Sequence, residues 1–431
     1  MEELTTKKTF RHYLYFMFGQ QFSLLGSGIV GFVIAWWITI ETQSAIFLSI
    51  AVFLIFLPQV IVTPFAGVLA DRMNRKTIIF MVDSLQAALT FILFLFFFIG
   101  YINIWMIFVI HTLRSVLFAF QVPAFQAIIP SMVPKERLTR INGLNFLISG
   151  VVFIIGPLLS AILLELFPIT FIFLIDVLTF FIALIPLLLI TIPNEAKSLK
   201  ESESEKKSFT REIKEGFLVV KAIPGLLSMI IFAMIFNFLN RPFNVLWPYF
   251  INITHDGTAL NLALLFGSMQ IGRLLGSLIT SLKKEWKHKI KINLIGATIF
   301  FAAYLLISFA PYRSFNLMMI GGFLGAIIFP ITVATYLTIL QTVVPSDKIG
   351  RVMSIDHTIS MAIAPIGALM AGPMADLIGI NMLFTICSLM GIFYPVLLWF
   401  FTKIRYLEHT REEDIKVVPQ EEIIELKAQE A

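Results

Sequence analysis

Apolar residues run along this chain in twelve blocks, near 12–38, 45–70, 77–100, 103–128, 141–165, 168–192, 224–251, 259–282, 290–310, 314–343, 352–377 and 380–403. At 1.5 Å rise per residue each block is long enough to cross a hydrocarbon layer of roughly 30 Å as a helix. Barrel strands alternate polar and apolar positions, whereas Phe91 to Phe98 is apolar without a break, so the pattern predicts helices. Polar residues collect between the blocks. Their longest stretch, Pro193 to Lys221, contains Glu201-Ser-Glu-Ser-Glu205-Lys-Lys207 and divides the blocks six and six. The expected organisation is an all-α integral membrane fold of twelve transmembrane helices in two pseudo-symmetric six-helix bundles. The bundles fall at 1–192 and 224–403. Between them lies a linker, 193–223, with a helix near Phe209 to Lys221, and after them a charged, solvated tail, 404–431.

Composition supports that reading: 58% of the 431 residues are hydrophobic and 14% charged, and 44 are Phe, where a soluble domain carries about a quarter charged residues. The 32 Lys and Arg are distributed unevenly. With both ends on one side, 28 lie in the tails and loops of that side, Arg313 lies opposite, and Arg114, Arg241 and Arg273 lie inside spans. The positive-inside rule then predicts cytoplasmic termini in a plasma membrane. The net charge of +5 reads as topology and contact with anionic lipid rather than nucleic-acid binding. Cys387 is the single cysteine, so no intrachain disulfide is expected. Lys7, Lys8 and Arg11 lead into a long apolar run without a small-residue cleavage site, which argues against a cleaved leader.

The halves echo each other. Val133-Pro134 is followed by Arg140, and 211 residues later Val344-Pro345 is followed by Arg351 at the same spacing. Both segments join the fourth and fifth spans of their half, and Pro123 and Pro330 precede them within the fourth spans. Two six-helix repeats of like orientation are the signature of a transporter built about an axis along the membrane normal.

Between spans two and three stands Gly67-Val-Leu-Ala-Asp71-Arg72-Met-Asn-Arg75-Lys76. It resembles the major facilitator superfamily signature G-x-L-A-D-R-x-G-R-K, with Asn74 in place of the second glycine. Read from the residues alone, Gly67 permits close helix packing, Asp71 can face a helix N-terminus, and Arg72, Arg75 and Lys76 hold the loop in the cytoplasm. Asn74 is expected to accept a left-handed turn. The resemblance implies that this loop latches the two halves together in an outward-facing state, against the start of the eleventh helix. The matching loop of the second half, Gly276 to Lys284, lacks the Asp, so the latch should be asymmetric. Gly19-Gln20-Gln21-Phe-Ser23, Asp83, Arg114-Ser115 with Ala119-Phe120 and Pro123-Ala124, and the loops around Glu136 and Gly350-Arg351 together look like the macrolide-efflux group of drug:proton antiporters. That group is similar to siderophore-export and lysophospholipid-transport branches. Gly156-Pro157 in span five resembles the core of an exporter motif, although Leu158 and Leu159 follow it; its proline should kink the helix.

Ionisable side chains inside a membrane are functional candidates. Here they are Asp83, His111, Arg114, Asp176, Arg241, Arg273, Asp356 and His357. Asp83, Asp356 and His357 lie near the cytoplasmic ends and suit structural or gating roles, with Asp83 also a coupling candidate. His111 and Arg114 share a helix face. Arg114 stands where the family's fourth-helix arginine, implicated in proton coupling, is expected. Asp176 is the candidate proton carrier with Arg114 tuning it; a helix-to-helix hydrogen bond is the alternative. Gln20, Gln21, Trp36, Asn237, Asn240 and Arg241 are candidates for the substrate pathway, with Trp36 and Trp37 also placed for interface anchoring. Small residues recur every four positions in span one, Gly19, Ser23, Ser27 and Gly31, and in span eleven, Ser360, Ala364, Ala368, Gly372 and Asp376, predicting close and sliding helix contacts.

Neither a phosphate-cradling G-x-x-x-x-G-K-[ST] loop nor an H-E-x-x-H zinc site occurs, so ATP-driven pumping and metalloprotease chemistry are disfavoured. No cofactor, metal or nucleic acid is expected. The expected partners are an amphiphilic small molecule, protons and lipid, with the chain a monomer. The first reading is a proton-driven exporter of hydrophobic or amphiphilic compounds. The alternatives are a lysophospholipid or siderophore carrier or importer, and, in another class, a non-transporting receptor or scaffold or a membrane enzyme.

Overall fold

The computed structural model describes residues 7–192, 209–283, 285–345 and 348–409. Among these, thirteen α-helices follow in order: α1 (Lys7–Thr42), α2 (Ala45–Arg72), α3 (Arg75–Phe98), α4 (Ile104–Met132), α5 (Leu138–Leu166), α6 (Ile169–Leu189), α7 (Phe209–Ala222), α8 (Leu226–Tyr249), α9 (Ala259–Leu282), α10 (Lys289–Ser308), α11 (Phe315–Val343), α12 (Ile349–Ile378) and α13 (Ile380–Phe401). All but α7 are long and apolar enough to span a membrane. α1–α6 precede the polar stretch and α8–α13 follow it, with α7 between them.

Local chemistry sets the helix ends. Asn103 Oδ1 accepts from the Trp105 amide at 3.0 Å to start α4, and Thr258 and Asn261 form a reciprocal capping box at α9, each satisfying amides that a helix leaves free. Asn74 departs from expectation. Its backbone is extended, φ −65°, and its Oδ1 accepts from the Lys76 amide at 2.9 Å. It is an N-cap for α3, a role asparagine fills as well as any residue, and needs no left-handed turn. Gly225 does adopt φ +91°, beneath the backbone of Lys403 and Ile404, where a side chain would both strain and collide.

The sequence echo is a structural repeat. Val133 and Val344 end α4 and α11 with amides bonded to Ile129 O and Leu340 O, and each following proline carbonyl accepts a turn-closing amide at 2.9 Å, from Arg137 and from Lys348. Prolines inside α2, α4, α5, α8, α11, α12 and α13 do not interrupt those helices, as packed membrane helices allow.

Most loops rich in Lys and Arg lie at one face of the molecule, the basic face. At the far face the two bundles meet. Gly372 of α12 lies so close to α2 that a Cβ would come within 2.5 Å of Ala45 O, and Phe32 of α1 packs edge-on against Phe266 of α9. The buried far-face residues of α1–α6 belong to the same core as the second bundle. The basic end of the first bundle has its own cluster around Tyr13, Phe16, Ile79, Ile128 and Leu187. At mid-depth Gly150 of α5 faces Leu274 of α9. Toward the basic face α2 leaves Ile61 and Phe65 exposed, the latter by 70%. The bundles are thus joined at the far face and, among the described residues, share no core cluster at the basic one.

The tail departs from expectation over its first residues. Lys403–His409 form a 3-10 turn with Ile404 and Leu407 buried, and the Glu408 carboxylate accepts from the Ile290 amide at 2.9 Å. A buried pair of apolar side chains anchors this turn, and an acid at a helix start is favourable. Residues 410–431 lie outside the described residues, as does 193–208 of the linker.

Candidate functional site

Between α1, α4 and α5, on the basic half of the first bundle, lies a cavity of about 310 Å³ lined by Gln20, Gln21, Ser27, Gln121, Gln126 and Asn145 among others. Its wall is uncharged and mixes these amides and hydroxyls with apolar side chains such as Phe118, Val122 and Phe125. A carboxylate sits directly behind it: Asp83 of α3 accepts from Gln20 Nε2 at 2.9 Å and from Gln121 Nε2 at 2.6 Å, and Gln86 Nε2 donates to Gln121 Oε1 at 3.3 Å. Deeper, Arg114 of α4 and Asp176 of α6 form an ion pair at 2.8 Å, with only 7% and 4% of their surfaces exposed.

That pair is fully held. Asp176 accepts from Thr90 Oγ1 at 2.6 Å and from Ser27 Oγ at 3.2 Å. Arg114 donates to Gln86 O and to Ser27 Oγ, both at 3.2 Å, and to Thr90 Oγ1. Buried charges persist in apolar surroundings when paired and hydrogen-bonded in this way. Ser27 touches both charges and also lines the cavity, so the ion pair is one side chain from the open space. Gly26 makes room for the pair, since a Cβ there would lie 2.9 Å from Asp176 Oδ1 and closer still to Thr179 Oγ1.

The second bundle has a counterpart of about 230 Å³ between α8, α10, α11 and α12, lined by Phe232, Phe236, Asn237, Phe329, Tyr336 and Asp356 among others. The Tyr336 hydroxyl donates to Asp356 Oδ1. A third space of about 280 Å³ lies between the bundles, where Pro157 of α5 faces Trp247, Gln270 and Arg273.

The structure unites some of the predicted residues and separates others. Gln20 and Gln21 line the first cavity, Asn237 the second. Arg114 and Asp176 are in contact. His111, half-buried one turn from Arg114, has an Nδ1 with no partner among the described residues. Asn240 Oδ1 is likewise buried and unpaired. Arg241 reaches across to the other bundle, its guanidinium 4.6 Å from the centre of the Phe56 ring, a cation–π contact rather than an open anion site. Trp36 and Trp37 are each 8% exposed inside the far-face core, Trp37 edge-on to Phe97; neither faces lipid, and Trp36 lines none of the three cavities. Gly156 and Pro157 sit mid-helix in an unbroken α5, where Ser160 Oγ bonds the Gly156 carbonyl at 2.7 Å.

Gly67 is a correction: among the described residues nothing lies within 4 Å of its Cβ position, so none of their helices packs there in this conformation. Lys76 Nζ bonds Ile190 O at 2.7 Å and Leu188 O at 3.1 Å, closing the end of α6, and Arg75 Nη1 bonds Ala127 O of α4 at 2.9 Å. Both cations neutralise helix carbonyls within their own bundle. The side chains of Asp71 and Arg72 lie outside the described residues. The four-residue stripe of α1 is also corrected. Gly19 and Gly26 make its close approach to α6, Ser23 and Ser27 face the cavity, and Gly31 meets nothing.

Sequence reasoning overlooked Thr90, Gln86, Gln121 and Tyr336. The available signal was a lone amide, hydroxyl or phenol within an apolar helix, which earns attention only once a charged neighbour is known to face it.

Comparison with known proteins agrees with this architecture. The chain is 29% identical over 392 residues to macrolide efflux protein A of Streptococcus pyogenes, covering 90% of this chain and 96% of that one. It is 29% identical over 326 residues to macrolide efflux protein A of Enterococcus faecalis, covering 75% and 99%. The fold is shared with the nucleoside transporter NupG, at a TM-score of 0.72 and 12% identity, over 91% of this chain and 100% of that one. The family profile for the Major Facilitator Superfamily matches residues 16–355, and to that superfamily of membrane transporters this chain belongs.

Proposed function

We propose that this protein is a secondary active exporter of hydrophobic or amphiphilic small molecules, working by alternating access and coupled to protons in antiport. Both termini are assigned to the cytoplasm of a bacterial cell membrane, so the basic face is inward and the conformation described opens inward. The carrying observation is that two buried carboxylates, Asp83 and Asp176, each stand one cavity-lining side chain behind the first cavity: Gln20 and Gln121 for Asp83, Ser27 for Asp176.

This arrangement supplies the linkage antiport requires. A solute that reaches past Gln20, Gln121 or Ser27 and donates hydrogen bonds to an ionised Asp83 or Asp176 favours the charged form, so solute and proton compete for the site. Coupling between the two ligands is reciprocal. Protonation of Asp176 removes the partner of Arg114 and frees Ser27 and Thr90 to turn, which disturbs the contacts among α1, α3, α4 and α6. The efflux relatives support the exporting direction, and the uncharged wall, apolar with scattered amides and hydroxyls, suits a bulky amphiphilic solute. In the outward-facing state the α2–α3 loop is assigned the latching contact with the start of α12, which the empty space at Gly67 leaves unmade here.

The test is uptake of radiolabelled macrolide into inverted vesicles with and without an imposed pH gradient. Gradient-driven accumulation by the native protein, lost in Asp176→Asn at equal expression, is expected. Accumulation indifferent to the gradient would remove proton coupling, and no accumulation of any macrolide or dye would remove export.

A further inference from the structure

The cavity of the second bundle differs from the first in kind. Three aromatic rings, Phe232, Phe236 and Phe329, and the phenol of Tyr336 line it, and its acid, Asp356, lies in the wall rather than behind it. Phe236 lies 6.3 Å from Phe329 and 6.3 Å from Phe232 between ring centres, so the three rings form one continuous aromatic surface. Asp356 accepts from Tyr336 and, among the described residues, from no other donor. No Lys or Arg is among the lining residues. Asp176, by contrast, has a guanidinium against it. A carboxylate kept largely out of water, with a phenol bonded to it and the His357 imidazole beside it in the wall but no ammonium or guanidinium there, favours an incoming positive charge, and ring faces attract the same charge.

Size and donor set identify the cation. A bare metal ion needs several oxygen ligands, and the described residues hold no cluster of three or more metal-binding side chains. A space of about 230 Å³ holds an alkylated ammonium but not a whole bulky amphiphile. We infer that the cavity formed by Phe232, Phe236, Phe329, Tyr336 and Asp356 is the recognition site for an organic cation, a substituted amine or quaternary ammonium, carried by the transported solute. The uncharged remainder of that solute extends toward Gln20 and Gln121 of the first cavity. This names a substrate class and rests on the transport reading above; Asp356 takes the charge, while Asp176 serves the proton.

Equilibrium binding separates the two ideas. The full-length protein in lipid nanodiscs is titrated with benzyltrimethylammonium and with its neutral carbon isostere neopentylbenzene, both corrected for empty discs. The native protein should prefer the cation by about ten-fold or more. Asp356→Asn should lose that preference while binding of the neutral compound changes less than about two-fold, and His357→Gln, altering the other ionisable group of the lining, should keep it. Asp176→Asn should keep it too, although pH-driven transport is lost. Thermal melts confirm that each variant is folded; should Asp356→Asn fail to fold, Tyr336→Phe takes its place, with weakened cation preference expected. Equal binding of the two compounds, or an Asp356→Asn protein that still prefers the cation, overturns the assignment. Cation-selective binding in a protein that transports nothing would overturn the transport reading and leave this site standing.

Discussion

The two bundles are repeats in backbone and opposites in chemistry. Asp176 is the eighth residue of α6 and Cys387 the eighth residue of α13, yet one carries a charge bonded to Arg114, Thr90 and Ser27 and the other is a buried thiol. Where the first bundle threads a polar network through α1, α3, α4 and α6, the second packs Phe243, Trp247, Tyr304 and Phe384 ring against ring at 4.3 to 6.0 Å between centres. A duplicated scaffold thus lets one copy become responsive and the other firm. Hydrogen bonds and charges can be rearranged by a proton, whereas interlocked rings answer only to displacement.

That contrast can be broken by substitution. The largest effect is expected at the ion pair. Arg114→Ala strands a buried carboxylate and should cost about 3–5 kcal/mol of stability, with much of the loss regained in Arg114→Ala/Asp176→Ala, since a missing pair is cheaper than half of one. Thermal or denaturant melts in detergent measure both. Transplanting the acid to the mirror position should also hurt: Cys387→Asp puts a carboxylate at a buried position of the apolar core and is expected to destabilise by about 3 kcal/mol. If it were tolerated, the second bundle would be less firm than its packing implies.

A third substitution probes the joint between the bundles. Gly372→Val thrusts branched atoms into Ala45 and Ile46 of α2 and should cost about 1–3 kcal/mol in the conformation described here. Its expected signature is a shift toward the far-face-open state, read as faster labelling of a cysteine placed at Ser49 in a Cys387→Ala background. Asp83→Asn keeps the size of the side chain but removes the charge and leaves one oxygen to accept from either Gln20 or Gln121, the other amide having to flip; it should slow turnover by about ten-fold, ~1.4 kcal/mol in barrier, without unfolding. Smallest is Lys76→Met, which uncovers the carbonyls of Leu188 and Ile190 and should lower the melting free energy by about 0.5–1 kcal/mol.

Much of the fold was legible because lipid imposes strict rules. Twelve apolar runs of spanning length, one long polar break and the Val-Pro turns at matching positions left little freedom in helix number, linker position or duplication. Arg114 and Asp176 were legible for the same reason, as charges in oil demand explanation. What lay hidden was whatever depends on which faces of different helices meet. Thr90 reads as an ordinary threonine until α3 is set against α4 and α6, and Gly26 as an ordinary glycine until Asp176 is seen beneath it. Trp36 and Trp37 misled because the position of a tryptophan along a helix fixes its depth and not its azimuth. Asn74 misled because an asparagine in place of a glycine suggests an unusual turn, while its side-chain oxygen offered the simpler service of starting a helix.

The bond from Glu408 to the Ile290 amide, with Leu407 buried beside it, carries a practical corollary for anyone preparing this molecule. A purification tag or fluorescent reporter joined directly after the last hydrophobic span would sever that clasp and expose an oily seam on the underside. Placing the junction beyond His409 should preserve both yield and monodispersity.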